Sequence, residues 1–148
     1  LEWNGEMERM TFLSEYMEYW EKKCREFLDD YESEQSRRYS ANVKRALSYI
    51  EEHYGEDIGV EQVSGYIGKT PNYFSSIFKQ EMGISFREYL NQYRIQKAQE
   101  LILHSDLMIY EISEKVGYRD YAYFSQVFKK LAGCSPTGLR SGDGGQPS

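Results

Sequence analysis

The chain has 148 residues, with 18 Lys and Arg against 24 Asp and Glu, a formal charge of −6, two His and two Cys. That length suits one domain or two small ones sharing a core, and 40% hydrophobic with 16% aromatic residues excludes a disordered chain. No apolar run approaches the ~18 residues of a membrane span, no leader pattern opens the chain, and Cys24 and Cys134 make neither a Cys-x-x-Cys pair nor a disulfide framework, which points to a reducing cytoplasm.

The charge is unevenly spread: residues 1–39 hold 6 basic and 11 acidic side chains, whereas residues 40–140 hold 12 of each. The acidity that disfavours a nucleic-acid partner thus belongs mostly to the first segment. There, Met10, Leu13, Met17, Trp20, Cys24, Phe27 and Tyr31 alternate spacings of three and four, the pattern of a coiled-coil seam. An amphipathic linker helix is predicted, its stripe either pairing with a second copy of the chain or packing on the same chain. A third reading lays the acidic segment over a basic surface as a phosphate mimic. Ser33 to Ser40, with Arg37 and Arg38 inside, reads as a polar hinge. The chain starts at Leu1 rather than Met, so an excised piece with a missing N-terminal neighbour is expected.

After a helix over 42–54 with Val43, Ala46, Leu47 and Ile50 on one face, the sequence repeats itself. Tyr73-Phe74-Ser75-Ser76-Ile77-Phe78-Lys79, then Gly83 and Ser85, recurs fifty residues later as Tyr123-Phe124-Ser125-Gln126-Val127-Phe128-Lys129, then Gly133 and Ser135. Upstream, Val63, Ser64, Ile67 and Gly68 match Ile112, Ser113, Val116 and Gly117 at an offset of 49, so the second copy carries one extra residue in its turn. Such a repeat marks duplicated supersecondary units. Each unit reads as a short helix, a glycine turn and a longer helix, with Thr70-Pro71 as cap and first helical residue of the longer one.

With Phe74, Ile77 and Phe78 inward, the longer helix of the first unit exposes Asn72, Tyr73, Ser75, Ser76 and Lys79. The second unit offers Arg119, Tyr121, Ser125, Gln126, Lys129 and Lys130. Asn, Gln and Arg near a helix N-terminus suit base edges in a major groove, whereas Lys79, Lys129 and Lys130, a turn or more later, suit phosphates. Between the units, residues 85–103 hold no Pro or Gly and form a rigid connector of about 28 Å, close to the ~34 Å of one DNA turn. Arg94 on this helix is a further phosphate candidate.

The run Ala98 to Leu103, then Ile109-Tyr110-Glu111-Ile112-Ser113-Glu114-Lys115-Val116-Gly117-Tyr118-Arg119-Asp120, Tyr123-Phe124-Ser125, Phe128-Lys129-Lys130 and Gly133-Cys134-Ser135-Pro136 resembles the AraC/XylS signature, and Phe86 to Leu90 with Arg94 resembles that family's connector helix. The resemblance covers about residues 41–140. It implies an all-α fold of two helix-turn-helix subdomains joined by a long connector helix, seven helices in all, that binds double-stranded promoter DNA through recognition helices at about 71–82 and 120–131. It further implies a transcription regulator, usually an activator, with RNA polymerase as a candidate partner. The wording around Ile109 to Ile112 is similar to YesN-like two-component response regulators, which implies a receiver or sensor domain ahead of the acidic segment. Two departures predict weak edges in the second unit: Gly138 and the glycine-rich tail in the last helix, and Met108 where a polar cap is common. The first unit is bounded at about 41–84, the connector at 85–103, the second unit at about 104–140, and 141–148 reads as a disordered tail.

The competing function class is a protein-interaction or dimerisation module in which residues 10–31 carry the function. An enzyme is the poorest reading, because His53 and His104 are isolated and no nucleophile set, phosphate-cradling loop or metal-ligand cluster occurs. No cofactor or metal is expected.

Overall fold

Capping chemistry sets most helix boundaries. The structure, a computed structural model, describes the backbone of residues 3–142 and, from Ser14 onward, their side chains except at 32 and 35–37. Met10 and Leu13 of the seam therefore lie outside the described side chains. Among the described residues every regular element is an α-helix: α1 (Trp3–Arg38), α2 (Ala41–His53), α3 (Val60–Ile67), α4 (Pro71–Met82), α5 (Phe86–His104), α6 (Ile109–Lys115), α7 (Tyr121–Ala132) and α8 (Pro136–Ser141). The chain divides after Ser40 into two compact units.

The smaller compact unit consists of α1. Residues 33–38, expected as part of a polar hinge, are instead helical, since α1 continues to Arg38 through a stretch without Gly or Pro, and only Tyr39 and Ser40 separate it from α2.

The larger compact unit holds α2 to α8 and with them both repeat units and the connector. Its first half buries Val43, Ala46 and Ile50 from α2, Val63 and Ile67 from α3, and Phe74 and Phe78 from α4. Phe86, at the start of α5, closes this layer edge-on against Phe74 and Phe78. The other end of α5 belongs to the second half, where Ile95, Ala98 and Ile102 pack with Ile112, Val116, Tyr118, Phe124 and Phe128. The duplication is visible in the packing: Phe74–Phe78 and Phe124–Phe128 have ring centroids 5.5 and 5.7 Å apart, both at 52°. Ser64 and Ser113, each 2% exposed, satisfy their hydroxyls on the carbonyls of Glu61 and Tyr110, one turn back.

The edges expected to be weak are held by other means. The Glu111 carboxylate accepts the Met108 N–H at 2.8 Å, half of a capping box that needs no polar side chain at Met108. Helix α8 forms despite Gly138, because Ser135 Oγ accepts the Gly138 N–H at 3.0 Å. The Arg140 guanidinium also ties α8 back to the carbonyls of Ile102, Ser105 and Leu107. Ser141, assigned by sequence to the disordered tail, is the last residue of α8, with Gly142 as its cap; residues 143–148 lie outside the described ones.

Arg94 corrects the sequence reading more substantially. It was a phosphate candidate, yet it is 9% exposed, and its Nε and Nη2 donate to the carbonyls of Tyr54 and Glu56 at 2.7 and 2.8 Å. Its guanidinium also lies 5.5 Å from the Tyr118 ring centroid. The residue faces the turn between α2 and α3, which a surface-face argument places in solvent. Gly117, at φ 107°, makes room for it: a Cβ there would stand 2.7 Å from the Tyr54 carbonyl and 2.8 Å from the guanidinium. Burial pulls the Arg94 pKa down, but a guanidinium stays charged at any working pH. Burial also pushes the Tyr118 phenol up to about 12, with its hydroxyl donating to Asn91 Oδ1 at 2.8 Å.

Arg94→Ala, which orphans two carbonyls, is expected to cost about 3 kcal/mol in urea unfolding, with Gly117→Ala losing a similar amount. The Tyr118 phenol favours folding in its neutral form, so its contribution is complete below about pH 10 and is lost as pH rises toward 12, about 2–3 kcal/mol in all. Unfolding free energies of the chain and of Tyr118→Phe between pH 9 and 12 check this: the variant's curve should be flatter by that amount.

Candidate nucleic-acid interface

Helix α4 starts where Thr70 Oγ1 accepts the Tyr73 N–H at 3.2 Å and Pro71 takes the first helical position. With Phe74 and Phe78 wholly buried, the helix turns Asn72, Tyr73, Ser75, Ser76 and Lys79 to solvent. Lys69 Nζ sits 5.6 Å over the Tyr73 ring at the same end. Helix α7 starts on Asp120, whose Oδ1 accepts the N–H groups of Ala122 and Tyr123 at 2.9 and 3.3 Å. Phe124 and Phe128 point inward, which leaves Tyr121, Gln126, Lys129 and Lys130 exposed and Ser125 half-buried. Arg119, just before the cap, is exposed and pairs with Asp57 Oδ2 at 3.1 Å.

The connector adds residues that the sequence reading passed over. Arg87 Nη2 donates to Tyr123 Oη at 3.2 Å, joining α5 to α7, and this bond, with Asn91 second, holds the Tyr123 phenol below its usual range. Glu88 is held below the usual carboxylate range first by its hydrogen bonds with Ser85, then by the charges of Lys79 on α4 and Lys130 on α7. Asn91, Gln92, Gln126 and Lys130 stand on the walls of a groove of about 430 Å³ between α5 and α7. The signal for Arg87 and Asn91 was present in the sequence: they are four apart, beside the inward Phe86 and Leu90, and so share one flank.

Chemically, the two exposed faces offer amides, hydroxyls, phenols and cations, the groups that meet base edges and phosphates. Among the described residues no group of three His, Cys, Asp or Glu side chains could hold a metal, and no helix is long and apolar enough to cross a membrane. On α1, Met17, Trp20, Phe27 and Tyr31 are each more than half exposed, and Cys24 is exposed as well. Phe27 and Tyr31 stack at 6.5 Å along that face.

A family model for a helix-turn-helix domain matches residues 63–142. The regulatory protein PocR of Salmonella typhimurium is 34% identical over 102 residues, which cover 69% of this chain and 34% of PocR. Among solved structures, the C-terminal domain of AraT, a response regulator from Geobacillus stearothermophilus, is 43% identical with a TM-score of 0.69, covering 71% of this chain and 88% of that one. The C-terminal domain of the two-component response regulator YesN from Fusobacterium nucleatum is 35% identical with a TM-score of 0.65, covering 68% and 99%. This chain thus spans about a third of PocR and nearly the whole of the two solved domains.

Proposed function

We propose a function from one premise: the chain belongs to the AraC/XylS family of helix-turn-helix proteins. It is the DNA-binding region of a transcription regulator, placing α4 and α7 in successive major grooves of promoter DNA. The observation that carries this is the duplicated phenylalanine pair, which has the same geometry in both units and turns a polar face outward on each longer helix. On those faces Asn72, Tyr73, Ser75, Ser76, Tyr121, Ser125 and Gln126 are assigned to base reading, and Lys79, Lys129 and Lys130 to phosphates, whereas Arg119, a base-reading candidate by sequence, lies before the α7 cap and is paired with Asp57. Half-buried Ser125 reads less of a base than Gln126 one position later.

The similarity to the C-terminal domains of AraT and YesN supports a place downstream of a receiver domain, with α1 as the linker between the two. Activation through RNA polymerase, in the bacterial cytoplasm, is the regulatory mode we assign. A second reading rests on α1, whose exposed Met17, Trp20, Cys24, Phe27 and Tyr31 repeat at coiled-coil spacing. It makes α1 a parallel dimer seam that brings two DNA-binding regions together.

Gln126→Ala should relax preference at one base position by roughly 1–3 kcal/mol, whereas Lys129→Ala should weaken all sites alike and reduce the salt slope by about one. Sites selected from a random DNA pool, followed by titration at several salt concentrations, measure both. A uniform loss for Gln126→Ala would remove it from base reading. For the seam, a parallel in-register pair sets Cys24 against its counterpart in the second copy. Mild oxidation of the Cys134→Ser chain should then give a reducible dimer that Cys24→Ser abolishes, and a monomer throughout would end the dimer assignment.

A further inference from the structure

A cleft of about 490 Å³ opens between the two helical pairs. One wall is the segment Asp57–Val60 leading into α3, the floor is a flank of α5, and the far wall is the turn Gly117–Asp120 with Tyr123 of α7. Three arginines reach it: Arg87, Arg94 and Arg119. We propose that this cleft is a phosphate site for the stretch of DNA backbone lying between the two reading helices, and that Arg87 and Arg119 are its ligands. The proposal rests on the DNA-binding reading above.

The three guanidinium groups are differently committed. Arg94 is spent on the carbonyls of Tyr54 and Glu56, so it contributes only its field. Arg87 makes a single hydrogen bond to a phenol, and Arg119 a single one to Asp57, among the described residues. A guanidinium carries five donors, so each has most of its capacity in hand. The side chains of Arg119 and Asp57 are 85% and 79% exposed, and an ion pair so open to water is weak and exchanges readily for a doubly hydrogen-bonded phosphate. Of the two acids in the cleft, Asp120 is engaged by the N–H groups of Ala122 and Tyr123, and Asp57 is matched by Arg119, which leaves the cleft net positive.

Its position selects backbone over base. Two helices that enter successive major grooves from one side straddle the minor groove between them, whose two edges are sugar-phosphate strands. The connector lies between the reading helices in sequence, and its flank is the floor of the cleft. Arg119 is thereby moved from base reading to phosphate binding. Asp57 and Tyr123 become placeholders that hold the two guanidinium groups across the cleft until a phosphate replaces them, and the Asp57 charge lowers attraction to any backbone.

The test uses the full chain and a site selected by it from a random DNA pool. Ethylation of phosphates between the two major-groove contacts should block binding of the unaltered chain, a measurement that needs no variant. Arg87→Ala combined with Arg119→Ala should flatten the dependence of log affinity on log salt by about 2, with the selected sequence unchanged, and Asp57→Asn should tighten binding to all sequences at low salt. Indifference to ethylation there, an unchanged salt slope, or a changed base preference in the double variant overturns the phosphate site while leaving DNA binding intact. Failure of the unaltered chain to enrich any sequence overturns the underlying reading as well.

Discussion

The buried guanidinium of Arg94 is the constraint on which the arrangement of the two helix-turn-helix units depends. It sits on the connector, donates to two carbonyls in the turn after α2, and lies on the ring of Tyr118 in the turn before α7. One side chain therefore joins the first unit, the connector and the second unit. A buried charge persists only where its hydrogen bonds are satisfied, and here backbone carbonyls satisfy it, so no acidic partner is needed. The close approach of Gly55 to the Lys115 carbonyl, where a Cβ would stand at 2.7 Å, shows how tightly these turns meet.

The one-residue difference between the repeats acquires a physical meaning from this contact. The extra residue lengthens the turn before α7 and lets Tyr118 fold inward, 4% exposed, onto the second core and under Arg94. The first unit's shorter turn carries exposed Lys69 instead. The two copies have thus kept the same Phe–Phe packing and the same small buried serine, while only the second turn has become a docking surface for the other half. Such a joint fixes the two longer helices relative to each other, and linked binding elements held in a set geometry keep the advantage of being linked.

Electrostatics follow the same division. Net charge alone argues against a DNA partner, but the excess acid lies in residues 1–39, and the region from Ser40 to Arg140 is balanced. Within it, Arg87 and Arg119 border the cleft beside the connector. Local fields of this kind act over about 8–10 Å at ordinary ionic strength, which is the scale of a phosphate contact and not of the whole chain.

Most of the architecture was legible in the sequence because it is written in local terms. Apolar periodicity, the Thr70-Pro71 cap, the Gly- and Pro-free run of 85–103 and the fifty-residue repeat place α4, α5 and α7 and tell their inner from their outer faces. The exposed Asn72, Tyr73, Gln126 and Lys129 follow directly, since a helix with two buried phenylalanines has only one way to face. What depended on residues distant in sequence could not be read that way. Arg94 looked like a surface cation until the turn after α2 arrived above it. Arg87 acquired a partner only when Tyr123 came beside the connector, and α8 was secured by Arg140 reaching back to carbonyls more than thirty residues earlier. Periodicity reports which side of an element is buried, whereas the partner of a buried or bridging charge is set by backbone groups that tertiary packing alone brings within reach.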